Sequence, residues 1–227
     1  MRHIPTAAIL AALLGFGLGA QEADSGPAAK AALQKLCDRF RDLRFLSAGL
    51  VQTRRTELLD KPIVSSGKMY YRRDPARLVF QLGEPRRVEI HMDRTSYQVY
   101  RPDEKRLERF DFGADGPSGA ILMVFEPKME ALEKNFSIRG GDVKDGVREI
   151  ALDTIDERLK KRLKRIVLRI AESDAALRGM SYTDAEGDDV RFELSDVALN
   201  PDLEPSRFDL KTPDGTRVIL QTVKPDK

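Results

Sequence analysis

The spacing of apolar residues changes once along the chain, from a helical period to a strand period. Over residues 28–44, apolar side chains recur at three- and four-residue steps and charged residues occupy the other face, which predicts an amphipathic helix. After Leu46 the period becomes two, and turn residues separate short runs. The predicted strands of this first group lie at 48–56, 65–72, 77–82, 87–92, 96–101 and 106–112.

A glycine-rich segment, GADGPSGA at 113–120, interrupts this series of strands. The next segment, at 121–136, is predicted to be helical with a kink at Pro127. Strand patterns resume at 136–139, 147–154, 164–171, 177–183 and 190–199. No repeat or linker divides the chain, so we expect a single domain at 21–227 of mainly β (α+β) class. Its mostly antiparallel sheet of about ten strands is too long to stay flat and should curl strongly.

The alternation along the central strands predicts one continuous apolar face. Lys68, Glu89 and Gln98 lie on the opposite, polar face. The helix at 28–44 and the segment at 121–135 are available to cover the apolar side. They either complete an ordinary core or form a lid over a cavity for an apolar ligand, and the pattern fits both structures. The apolar face consists of Met69, Tyr71, Leu78, Phe80, Leu82, Val88, Ile90, Met92, Tyr97 and Val99.

The first twenty residues have the layout of a cleavable secretory signal. Arg2 precedes an apolar run from Ala7 to Leu18 that ends in small residues. This run is too short for a comfortable membrane span, and no later apolar segment is long enough. We therefore expect residues 1–20 to be a signal peptide and the mature protein to be exported and soluble. Cys37 is the only cysteine, so no internal disulfide is possible.

Composition and spacing argue against catalytic or metal chemistry. His91 is the only histidine outside the predicted signal, which disfavours most metal sites and nucleophile–histidine pairs. A net charge of +2 gives no reason to expect nucleic-acid binding. The acidic residues at 184–189 lack the spacing of a calcium-binding loop. We therefore predict a binding protein that is not an enzyme and has no cofactor.

One charged block, RLKKRLKR at 158–165, has two interpretations. It is either a solvated loop leading into a strand or a docking site for an acidic protein face or anionic lipid headgroups.

Four stretches follow one another in an order and spacing typical of a known family: SAGLVQT at 47–53, SSGKMYYRRDPARLVFQLGEP at 65–85, SYQVYRP at 96–102 and RFDLKTPDGTRV at 207–218. Together they resemble the LolA-like periplasmic carriers of outer-membrane lipoproteins. The resemblance implies an incomplete β-barrel of about eleven antiparallel strands, with helices covering its apolar concave face. It also implies a cargo of lipoprotein acyl chains, received in the periplasm from an inner-membrane export complex and delivered to an outer-membrane receptor.

The resemblance also assigns site residues. Phe80 occupies the position where the family has a tryptophan, and Leu78 occupies that of an apolar corner residue. Arg73 corresponds to the arginine that ties the barrel to its lid, with Arg72 and Arg77 as alternatives. The apolar cavity wall additionally includes Leu50, Leu122 and Phe125.

The substitution at Phe80 and the unusual MDRT turn at 92–95 leave the cargo open. The alternative function is an envelope lipid- or glycolipid-binding accessory or sensor protein of the same fold. In either case we expect a monomer.

Overall fold

The computed structural model describes residues 26–112 and 117–222. The predicted signal peptide at 1–20 lies outside these residues and stays a prediction. The helices are α1 (Pro27–Arg39), α2 (Pro117–Met123), α3 (Met129–Asn135) and α4 (Glu157–Lys160). The first six strands are β1 (Phe45–Arg55), β2 (Ile63–Arg72), β3 (Arg77–Glu84), β4 (Val88–Met92), β5 (Ser96–Arg101) and β6 (Arg106–Asp111). The others are β7 (Phe136–Lys144), β8 (Val147–Thr154), β9 (Leu163–Ala171), β10 (Leu177–Asp184), β11 (Asp189–Leu199) and β12 (Arg217–Thr222).

All the described strands form one sheet, in the order β12-β6-β5-β4-β3-β2-β1-β11-β10-β9-β8-β7. Every neighbouring pair is antiparallel except β12 with β6, which is parallel. Within residues 26–112 and 117–222, the two edge strands β12 and β7 do not pair with each other. The sheet is therefore an open, curled structure rather than a closed barrel, as the sequence predicted.

The helices lie on the concave side of this sheet. Helix α1 contacts β7, β8 and α3. Its apolar stripe is fully buried, as the three- and four-residue spacing of Ala29, Leu33 and Leu36 requires. A salt bridge of 2.8 Å between Lys30 Nζ and Glu133 Oε1 joins α1 to α3. Because the two helical segments contact each other as well as the sheet, they form a single cover, which we call the lid.

The chain after β11 crosses the convex face of the sheet. Phe208, in a short 3₁₀ helix at Pro205–Phe208, packs with Tyr70 and Val79 in a second, small apolar cluster. The guanidinium of Arg72 lies 4.9 Å from the centre of the Phe208 ring, and that of Arg207 lies 4.5 Å from the centre of the Tyr70 ring. These cation–π contacts hold the segment against the sheet before β12 joins β6.

Some sequence expectations need correction. The glycine-rich break was expected to extend to residue 120, but α2 begins at Pro117 because proline is favoured in the first turn of a helix. Strand β12 was not predicted, since it pairs with β6, a strand that lies far from it in the sequence. The basic run contains α4, a short helix whose amides at Arg158 and Leu159 donate to the carboxylate of Asp156. None of the helices within the described residues is long and apolar enough to cross a membrane.

Gly67 marks an irregularity in the pairing of β2 with β3. A Cβ atom at this position would lie 1.9 Å from the backbone oxygen of Gln81. We expect Gly67→Ala to lower the free energy of unfolding by about 2–4 kcal/mol, since the strands must move apart, as measured by urea denaturation. Gly83→Ala is the control, because the nearest atom to its Cβ, the oxygen of Ser66, is 4.0 Å away. Equal destabilisation by both substitutions would contradict this steric explanation.

Candidate functional site

The predicted apolar residues of β2 to β5 lie on one face of the sheet. Met69 pairs with Phe80, Phe80 with Ile90 and Ile90 with Val99 across four adjacent strands. Because directly paired residues point to the same side, these rows form a continuous wall. The predicted cavity residues that are buried in the sheet are Leu50, Met69, Tyr71, Leu78, Phe80, Leu82, Ile90, Met92 and Val99, and the partly buried ones are Val88 and Tyr97. Leu122 and Phe125, also predicted to line the cavity, are buried but belong to the lid.

The second half of the sheet supplies the opposite side of this wall, which the sequence analysis did not assign. The ring of Phe192 stacks on that of Phe80, with 5.2 Å between ring centres and an interplanar angle of 7°. Tyr182 lies next to Phe192, at 6.2 Å. The alternation of apolar and polar residues in β8 to β11 is the sequence signal that could have predicted this side of the wall. The buried members there are Ile150, Leu152, Leu163, Ile166, Leu168, Ile170, Leu177, Met180, Val190, Phe192 and Leu194.

The lid packs directly on this wall. The Phe125 ring stacks on Tyr71 at 5.0 Å, and both side chains are completely buried. The interior left beneath the lid is a cavity of only about 20 Å³, bordered by Phe80, Ile121 and Phe192 among others. That space is no larger than one water molecule needs. The structure is therefore a closed state, in which lid side chains occupy the space that a ligand would need.

A larger cavity of about 520 Å³ opens at one end of the barrel, and we call it the mouth. Its volume lies within the ~300–1,000 Å³ range of small-molecule sites. Tyr97 and Tyr182 form part of its inner wall, and burial raises the pKa of both phenols, so both stay neutral hydrogen-bonding groups. At the rim, Arg54 Nη2 donates to Asp188 Oδ2 at 2.8 Å. The mouth thus joins a polar rim to the apolar interior.

Of the three corner arginines, Arg73 reaches the lid. Its guanidinium donates to the backbone oxygens of Phe40 and Arg41, both at 2.6 Å, immediately after α1. Arg72 lies on the convex face beside Phe208, and Arg77 pairs with Asp93 at 2.9 Å.

A second polar contact holds the lid at the break between α2 and α3. Glu126 accepts a hydrogen bond from the Tyr71 hydroxyl at 2.7 Å and one from Arg94 Nη2 at 2.5 Å. Burial and the Glu126 carboxylate raise the pKa of Tyr71, so the phenol remains a donor throughout the physiological range. This role of Glu126 was not predicted from the sequence, because a single acidic residue before a proline does not form a recognisable motif.

The described residues contain no candidate metal centre, and their only cysteine is poorly reactive. No group of three histidine, cysteine or acidic residues suited to a metal ion occurs within residues 26–112 and 117–222. Cys37 is partly buried, and burial with the nearby Asp38 raises the pKa of its thiol to about 11, so the reactive thiolate is scarce at neutral pH. The arrangement suits reversible binding of an apolar ligand.

Comparison with known proteins agrees with this geometry. A family model described as "Outer membrane lipoprotein carrier protein LolA" matches residues 41–211. The chain belongs to this family. Membership confirms the family predicted from the sequence, and the open curled sheet confirms the predicted fold class.

The similar proteins include two outer-membrane lipoprotein carrier proteins. That of Cupriavidus pinatubonensis is 28% identical over 163 residues, which are 69% of this chain and 71% of that protein. That of Albidiferax ferrireducens is 27% identical over 158 residues, which are 69% and 74% of the two chains. The crystal structure of an uncharacterized conserved protein from Thermus thermophilus covers 86% of this chain and all of its own, with a TM-score of 0.51 and 8% identity. This last likeness shows the fold alone.

The Tyr71 hydroxyl offers a test of how firmly the lid is held. Tyr71→Phe removes its bond to Glu126 and leaves the ring stack on Phe125 in place. We expect the free energy of unfolding to fall by about 1–3 kcal/mol, since the bond is to a charged group, and amide exchange at 121–126 to accelerate. Denaturation and hydrogen–deuterium exchange measure the two effects. Tyr100→Phe is the control, because Tyr100 is also buried but lies on the other face of the sheet. If Tyr100→Phe accelerated exchange at 121–126 equally, the contact between Tyr71 and Glu126 would not explain the effect.

Proposed function

We propose that this LolA-family protein is a periplasmic carrier that shelters the acyl chains of lipoproteins and delivers them towards the outer membrane. The observation that carries the proposal is the continuous apolar wall covered by a lid of short helices. Its family relatives are named as lipoprotein carriers, which supports a lipoprotein-binding role. The protein is proposed to act as a monomer, taking cargo from an inner-membrane export complex and passing it to an outer-membrane receptor.

Loading requires the lid to move. The space beneath the lid, about 20 Å³, cannot hold an acyl chain, so a chain that extends from the mouth onto the wall must displace lid side chains. Each acyl methylene removed from water contributes ~0.8 kcal/mol, so a sixteen-carbon chain supplies on the order of 12 kcal/mol for this displacement. Cargo and lid therefore compete for the same apolar surface.

Arg73 is proposed to bias this competition towards the closed state. Its two hydrogen bonds to Phe40 and Arg41 exist only while the end of α1 lies against the corner of the sheet. A ligand that opens the lid must break them, and their re-formation favours release. The same bonds thus weaken loading and promote handover.

Because the chain contains no tryptophan, a single introduced one reports on the cavity. We expect Phe80→Trp, at the centre of the wall, to show a saturable change in fluorescence when a triacylated lipopeptide is added. Phe208→Trp is the matched control, since Phe208 is equally buried but lies on the convex face, and we expect no change there.

Equal responses at both positions would indicate unfolding by the amphiphile and contradict the cavity. A saturable response to a glycolipid, without one to the lipopeptide, would replace the lipoprotein cargo with the alternative envelope lipid.

Replacing Arg73 tests the release mechanism. Arg73→Leu removes two charge-assisted hydrogen bonds that stabilise the closed lid, and bonds of this kind contribute about 1.5–3 kcal/mol each. We expect lipopeptide to load at least as well as in the wild type. Its transfer to acceptor vesicles or receptor should be slower by a factor of about ten or more. Arg77→Leu is the control, because Arg77 pairs with Asp93 and does not contact the lid. Wild-type release rates in Arg73→Leu would remove Arg73 from the mechanism.

A further inference from the structure

Exposed apolar side chains concentrate on one hairpin of the described structure. Nine large hydrophobic residues are substantially exposed among residues 26–112 and 117–222, and five of them lie between residues 51 and 64. The hairpin formed by β1 and β2 therefore has an apolar far end, which buries nothing within the described fold. These five residues are Val51, Leu58, Leu59, Ile63 and Val64.

The loop of this hairpin presents two adjacent leucines. Leu58 is 91% exposed and Leu59 is 49% exposed. The loop is ordered by a turn in which the Leu59 amide donates to the Thr56 oxygen at 3.2 Å, and this turn places Leu58 at its corner. We call residues 56–62 the tip.

The tip lies at the same end of the barrel as the mouth. Gln52 and Arg54, on the β1 arm, line the mouth. Arg55 pairs with Asp189, which places the turn between β10 and β11 beside the base of the tip. On the other side, pairing of β2 with β3 ends at Ser66 and Glu84, so the hairpin extends three residue pairs further, or about 10 Å. The tip therefore projects beyond its neighbours, next to the opening.

Exposed cations lie at the same end of the sheet as the tip. Arg86 and Arg87 are exposed at the end of β3, and Arg158 and Lys161 belong to the basic run at the mouth. These four form no salt bridge with any described residue. The basic run, for which the sequence left two interpretations, thus shares the mouth with the β1 arm that leads to the tip.

Acidic groups at this end partly balance that charge. On the tip, Glu57 and Asp60 balance Arg55 and Lys61. In the turn between β10 and β11, Asp188 pairs with Arg54, which also holds the pKa of Asp188 below its ordinary value. The pairing of Arg55 with Asp189 brings this turn level with the base of the tip, and Asp184 and Glu186 at the turn line the mouth.

We propose that the tip docks into the interface of a phospholipid bilayer containing anionic lipid, with Leu58 and Leu59 inserted and the flanking cations among the headgroups. Two leucines suit a bilayer better than a protein partner, because a stable protein interface buries more than about 1,000 Å² and a tip of seven residues cannot supply that area. Insertion of so little apolar surface is weak and reversible, as a shuttling protein needs. Docking would bring the mouth against the membrane, and this step does not depend on the identity of the cargo.

Because the chain contains no tryptophan, the fluorescence of one introduced at the tip reports on the surroundings of the tip. Leu58→Trp is mixed with vesicles of phosphatidylethanolamine and phosphatidylglycerol, and with the same vesicles containing brominated acyl chains. We expect a blue shift of the emission and quenching by the bromines. Val143→Trp is the matched control: Val143 is 44% exposed near the tip of the hairpin of β7 and β8, whose pairing with β9 places it at the opposite end of the sheet.

An unchanged Leu58→Trp spectrum would overturn the proposal, as would an equal shift in Val143→Trp, which would indicate general adsorption. A tip that responds only when an envelope protein is added would equally overturn it in favour of a protein interface.

A second variant separates docking from carriage. Leu58→Asp combined with Leu59→Asp changes only exposed side chains, so we expect an unchanged fold and unchanged lipopeptide loading. Vesicle binding of this variant, measured by flotation, should fall about tenfold or more. Retained binding would overturn the proposal. Lost binding with normal loading would support it, whereas a wild-type protein that docks but never loads would refute only the proposed carrier function.

Discussion

Water must be kept off the concave face of the curled sheet, and this constraint determines how the rest of the chain is arranged. The apolar wall extends across most of the twelve described strands, and because the edge strands β12 and β7 do not pair, the sheet does not close over it. The cover consists of α1, α2 and α3, which have 13, 7 and 7 residues. Helices this short are not stable by themselves, so they are held by the wall they cover. The stability of these helices thus depends on the wall that they cover.

The polar contacts of the lid occur where a helical segment ends. The backbone oxygens at the end of a helix have no partner within it, and Arg73 supplies donors to two oxygens just beyond α1. Its positive charge also interacts favourably with the negative end of the helix dipole. Glu126 has the matching function at the break between α2 and α3, where it joins Tyr71 and Arg94. In the open state that the proposed function requires, water would replace each of these bonds, which would make closure directional but reversible.

The sequence predicted the faces of the sheet well, because alternation follows directly from strand geometry and is preserved whatever the cover is. It predicted Arg73 through a resemblance, and the structure places that side chain against the end of α1. It did not predict Glu126, since the value of one carboxylate depends on a tyrosine 55 residues away. Tyr70, which alternation with Tyr71 turns to the convex face, is buried there only because Phe208 returns to cover it. Strand β12 was not predicted either. Its parallel pairing with β6 depends on the long segment that crosses the convex face, and this segment has no periodicity of its own.

An acyl chain that entered an empty, preformed cavity would gain the full free energy of leaving water and would be hard to release. In the proposed carrier the space beneath the lid is already filled, so a chain that extends inward from the mouth can pack on the wall only where lid side chains have left it. Burial of one phenylalanine or leucine side chain of the lid contributes about 1.5–3 kcal/mol. Exposing several of them therefore offsets a large part of the free energy that cargo gains, which is ~0.8 kcal/mol for each buried methylene. The packing of Phe125 and Leu122 on the wall therefore sets the affinity of the site as much as the wall itself does. In the proposed carrier, this closure would keep the empty protein folded and shielded, and cargo would be held only as strongly as its apolar contacts with the wall exceed those of the lid.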